Sequence, residues 1–140
     1  MPGITDLDTL LSSMEPELQS ENYIFSTFPN ADIAGKLYLE PISCFHEKEG
    51  LTLIVRKEIA DKNNIEYLSV FKLISLTIHS SLDAVGLTAA ISKKLGDNGI
   101  SANVVAAYFH DHIFIPEEKA NLAIESLHEL QQESLRKVNA

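Results

Sequence analysis

The sequence predicts an α+β fold, and three observations carry that prediction. The stretch from Leu73 to Pro116 reads strand, glycine-bearing loop, helix, two strands, with a second helix after Pro116. That order is most of a βαββαβ unit. Val70 to Ile78 is largely apolar on both of its alternating faces, as expected of a central strand. The preceding residues supply further strand and helix patterns of the same kind, so two such halves are expected, Met1–Tyr67 and Leu68–Ala140.

Element by element, Leu7, Leu10, Leu11 and Met14 fall at helical spacing, with Asp6 and Asp8 near the end that favours negative charge. Asn22 to Phe28 is rich in aromatic and β-branched residues and reads as a strand ended by Pro29-Asn30. Ala31 to Glu40 is expected to be loop with a turn at Gly35. Ile42–Glu47 and Leu51–Arg56 are expected as strands joined by a tight turn at Lys48-Glu49-Gly50, and Lys57–Asn64 as a short polar helix. In the second half the spacing predicts a helix over Leu87–Asp97, with Gly99 as its left-handed cap. Ser101–Phe109 and His112–Ile115 form a hairpin folded at His110-Asp111-His112. Pro116-Glu117-Glu118 opens the last helix, whose buried stripe is Ala120, Ala123, Ile124 and Leu127, continued by Leu130 or Gln131. Only Arg136–Ala140 follow, too little for a good strand, so the second half is one strand short. The first half or a second chain must supply it, since an open sheet edge is a liability.

Composition narrows the function. The 140 residues are 45% hydrophobic and 22% charged, in the range of globular domains. A formal charge of −9 and only two adjacent basic pairs, Lys93-Lys94 and Arg136-Lys137, argue against nucleic acid and against an anionic membrane surface. No apolar run approaches the roughly 20 residues that span a bilayer. The first residues lack the charge and apolar pattern of a signal peptide, and the one cysteine, Cys44, allows no intrachain disulfide. A cytoplasmic protein is expected. Cys44 reads as a small core residue, with His46 on the same side of its strand.

The segments Leu76–Ala90, Gly99–Tyr108 and His110–Pro116 together resemble the ACT domain, a βαββαβ, ferredoxin-like module that binds amino acids in many metabolic regulators. A weaker echo lies at Glu49–Val55. The match is closest to a family of small bacterial proteins of unknown function built from two ACT-like halves. The resemblance implies antiparallel sheets covered by helices, and a regulatory, non-catalytic protein that binds an amino acid without a cofactor or metal. It also implies a homodimer, because the ligand in such modules often sits at an interface. Carried over by position, the implied ligand contacts are Ser80, Ser81, Leu82, Asp83, Val85, Gly86 and Leu87 from the loop. Asn103, Val104 and Val105 come from the neighbouring strand. Backbone N–H groups at a helix N-terminus suit a carboxylate, and Asp83 or strand carbonyls suit an ammonium group.

Two other readings compete. His110 and His112 are two apart, and His79 could approach from another strand, which would make a three-imidazole metal site of an enzyme. Asp111 falls in the expected hairpin turn, however, where side chains two apart no longer share a face. No serine stands between glycines in Val85-Gly86-Leu87-Thr88, so nothing resembles a nucleophile elbow. The remaining reading is an oligomerisation module without a ligand.

Overall fold

Asp6 opens the first helix in a computed structural model, which describes residues 6–78 and 85–139. Its carboxylate accepts hydrogen bonds from the Thr9 N–H (3.1 Å) and hydroxyl (2.6 Å), capping α1, Leu7–Ser12. Those bonds hold the Asp6 carboxyl below its usual range. Strand β1 (Pro16–Phe28) follows, then a short 3₁₀ helix at Ala34–Leu39, β2 (Ser43–His46), β3 (Leu51–Arg56) and α2 (Lys57–Lys62). The later elements are β4 (Phe71–Leu76), α3 (Leu87–Asp97), β5 (Asn103–Ala106), β6 (Asp111–Pro116) and α4 (Ala120–Val138). This is an α+β chain of two ferredoxin-like sets of antiparallel strands and helices.

The backbone groups into two units: Met1–Gln19 with Leu73–Ala140, and Ser20–Lys72. In the first, the strand order is the opening of β1, then β4, β6 and β5. The start of β1 therefore supplies the strand that the second half lacks by sequence. Its core joins Leu10 and Met14 to Ile74 and Leu76, Ile91 and Leu95, Ile113 and Ile115, and Ala123 and Leu127. Helix α3 ends as predicted. Gly99 has φ of +73°, the Gly99 N–H donates to the Gly96 carbonyl (3.0 Å), and the Ile100 N–H reaches back to that of Leu95 (2.9 Å). Lys94 donates to Glu129 (3.0 Å) and Glu133 (3.1 Å) on α4, which raises its pKa.

In the second unit the order is β2, β3, β1. Ile24, Leu51, Leu53 and Val55 share one face and pack with Leu39, Ile59 and Ala60. The opposite face carries Phe25 and Thr27, whose partners in register are Ile54 and Thr52 respectively.

Several local expectations need correction. Strand β1 starts at Pro16 rather than Asn22. Glu17 to Glu21 is too polar to look like a strand, and pairing with neighbours decides its conformation. Ala31–Glu40 contains a 3₁₀ helix rather than a simple turn at Gly35, with the Gly35 N–H donating to Asp32 (3.0 Å) and Leu39 anchored in the core. The hairpin folds at Tyr108-Phe109, closed by the Ala107 N–H on the His110 carbonyl (3.0 Å), so Asp111 is in β6 rather than in the turn. Cys44 is exposed on β2, the last strand of its sheet, rather than in the core.

Candidate functional site

The site predicted from sequence centres on the segment between β4 and α3. Ser80, Ser81, Leu82 and Asp83, with His79 of the metal reading, lie outside the described residues. Gly86 is the N-cap of α3 at φ +91° and ψ −11°, and its carbonyl accepts the Ala90 N–H (2.9 Å). That backbone region favours glycine. A β-carbon there would also stand 3.2 Å from Leu7 Cδ2.

Among the described residues, helix α3 begins with no side-chain cap and no acidic residue in its first turn. The contrast with α1 is direct, because there Asp6 fills the N-terminus with its own carboxylate. First-turn N–H groups carry partial positive charge and point out of the helix, so the start of α3 is suited to an external carboxylate. Val85 is exposed beside it, whereas the Leu87 side chain belongs to the core and offers only its backbone.

Strand β5 ends the sheet of its unit and pairs only with β6 among the described residues. Asn103 is exposed at its start and donates its side-chain N–H to the Phe114 carbonyl (3.2 Å). Val104 packs towards the helix-covered core, while Val105 lies opposite His112. His112 Nδ1 is 2.8 Å from Ser75 Oγ, and His110 Nδ1 is 3.3 Å from the Ile78 carbonyl. Moving forward along β4 thus runs backward along β6, so the two are antiparallel. The segment after β4 leaves beside the start of β6 and the end of β5. Asn103 sits at the other end of β5, roughly 10 Å further along at about 3.3 Å per residue. Asn103 is thus at the far end of β5 from Ile78, the last described residue after β4.

His110 and His112 do face one another, with ring centroids 6.5 Å apart. Their pairing follows from the turn correction, since both now flank a strand residue. Burial first, and the charge of His110 second, lower the pKa of His112. Among the described residues no three His, Cys, Asp or Glu side chains come together as a metal site. Sequence reasoning missed the Ser75–His112 pair. The alternation of β4 puts Ser75 on the face opposite Ile74, but only the corrected register of β6 brings His112 to it.

The comparisons with known proteins agree with the fold. Two family models described as "ACT domain" match in tandem, over residues 2–72 and 69–129. No curated protein matches the chain. Among solved structures, the chain is 50% identical to VC0802 of Vibrio cholerae, a protein of unknown function described as a possible transport protein. The match covers 89% of this chain and 95% of that one with a TM-score of 0.81. The protein Atu0741 of Agobacterium tumefaciens shares 13% identity over 83% of this chain and 87% of its own, with a TM-score of 0.68. The regulatory subunit of aspartate kinase from Thermus flavus shares 13% over 82% and 95%, with a TM-score of 0.63. The last two likenesses show the fold alone. With its two family matches in tandem and its ferredoxin-like strand order, the chain belongs to the ACT domain family.

Proposed function

We propose that this chain is a non-catalytic regulatory protein of the cytoplasm that binds an amino acid as a homodimer. The observation that carries the reading is the N-terminus of α3, where Gly86 has positive φ and, among the described residues, no side chain caps the helix and no acidic group stands in its first turn. A ligand carboxylate there would meet backbone N–H groups. The resemblance in fold to an aspartate kinase regulatory subunit supports a regulatory role.

The position of Asn103 supports the dimer. Antiparallel pairing of β5 with its copy about a two-fold axis would place each Asn103 beside the Ala106 end of the other strand. That is the end at which the segment after β4 leaves. A ligand held by Ser80–Leu87 of one subunit would then reach Asn103, Val104 and Val105 of its partner, with Val104 contributing backbone groups. Binding would favour the paired arrangement by its differential affinity for it.

Thermal-shift measurements against the twenty amino acids test this. At 100 times Kd, one site adds about 2.7 kcal/mol of stability, enough to raise Tm by several degrees. Gly86→Val should abolish the shift. Because that variant is strained, Asn103→Ala is the companion: it should fold normally and lose about tenfold in affinity, roughly 1.4 kcal/mol. A flat screen at millimolar concentrations would contradict amino-acid binding. Full affinity in Asn103→Ala would remove β5 from the site.

A further inference from the structure

We propose that the Ser20–Lys72 unit carries a second small-molecule site, for an organic cation with an apolar body, in a groove floored by Phe25, Thr27, Thr52 and Phe71. The groove measures about 910 Å³, within the range of small-molecule pockets. It is separate from the proposed amino-acid site and takes a different chemistry.

The floor follows from strand register. Thr27 lies opposite Thr52, and Phe25 is two residues back on the same face, away from the core side chains Ile24 and Leu53. The Phe71 ring meets the Phe25 ring edge to face, with centroids 5.0 Å apart. The wall is the segment from Ile65 to Ser69. It is fastened at several points. The Ile65 N–H donates to the Ala60 carbonyl (2.9 Å), Ser26 Oγ donates to the Glu66 carbonyl (2.9 Å), and the Tyr67 hydroxyl donates to Asp61 (2.6 Å). Ile65 and Tyr67 also pack on the core of this unit. A wall held in this way limits the ordering cost of binding.

The lining selects the ligand. Its apolar part comes from Phe25, Ile65, Phe71 and the fully exposed residue Leu68. Among the described residues no lysine, arginine or histidine lines the groove, and its one charged member is Glu66. A second carboxylate, Glu47, accepts the Thr52 hydroxyl beside the floor. Aromatic faces and carboxylates attract a cation, and a dry anion would find no positive partner here. The Thr27 and Ser69 hydroxyls remain for orientation. The fit is to an amine on an aromatic or aliphatic body.

The test is an NMR titration of the full chain with protonated phenethylamine, and with 2-phenylethanol and phenylacetate as neutral and anionic counterparts. None is an amino acid, so the outcome is independent of the site at α3. Saturable amide shifts confined to residues 25–27, 52 and 65–69 are expected for the amine. The alcohol should bind about fivefold more weakly, the difference corresponding to roughly 1 kcal/mol, and phenylacetate more weakly still. Glu66→Gln should bring the amine to the affinity of the alcohol, and Thr27→Trp, at an exposed strand position, should block the groove. Absence of saturable shifts at these amides, equal binding of the three compounds, or an unchanged affinity in Glu66→Gln would overturn the proposal.

Discussion

Two glycines in and beside α3 show how much a single residue decides. Gly86 sits at φ +91° against Leu7, so Gly86→Ala should cost about 1–2 kcal/mol in denaturant unfolding. Gly96 lies inside the same helix with nothing within 4 Å of an added β-carbon, and Gly96→Ala should instead stabilise by roughly 0.5–1 kcal/mol. Opposite signs from the same substitution would locate the requirement in backbone conformation rather than in composition. His112 gives a second prediction at this scale. Its folded pKa is lowered by burial and by His110, so the folded state binds fewer protons than the unfolded state. Stability from this group is present above the unfolded value of about 6.5 and declines as pH falls below it. His112→Gln should flatten that acid-side decline in Tm. Gly86 and Gly99 were legible because helix ends advertise themselves in sequence. The exposure of Cys44 was not, since an edge strand and an inner strand read alike when the pairing order is unknown.

At the scale of elements, the strand missing from the second half was legible as a deficit but its source was not. The segment that fills it, the start of β1, is polar and lacks β-branched residues before Tyr23. Its strand character comes from pairing rather than propensity. Helix α1 joins the same unit, placing Leu10, Leu11 and Met14 in the core with Ile91 and Leu95. A fragment of Leu68–Ala140 should therefore show no cooperative thermal transition by circular dichroism, although it spans a complete-looking set of patterns. A sharp two-state melt of the fragment would show that α1 and the start of β1 are dispensable. Leu95→Ala in the full chain should cost about 2–5 kcal/mol, because a fully buried side chain leaves a cavity between α3 and its neighbours. The hairpin turn was misplaced by a few residues for a related reason. Tyr108-Phe109 carries none of the Gly, Asn or Asp signals of a tight turn, whereas His110-Asp111-His112 contains one. That shift is what moved the histidines onto a common side and Asp111 into a strand.

At the scale of the whole molecule, the proposed function rests on the start of α3 as a carboxylate receptor and on β5 as the strand that brings Asn103 to it from a second copy. The family was legible from the Leu76–Ala90 and Gly99–Tyr108 segments, and the tandem family matches agree. The division of labour within the predicted contacts was not legible. Leu87 and Val104 point into the core because helix and strand periodicity put them there, leaving backbone groups to face a ligand. Sedimentation at micromolar concentration should give a dimer, tightened by the ligand; a monomer with and without ligand would contradict pairing through β5. The most direct measurement of the central claim is the thermal shift of the full chain and of Asn103→Ala against each of the twenty amino acids at millimolar concentration. The prediction is a rise of several degrees for one or a few amino acids in the native chain, cut to about half in the variant. An unchanged Tm for all twenty would contradict it.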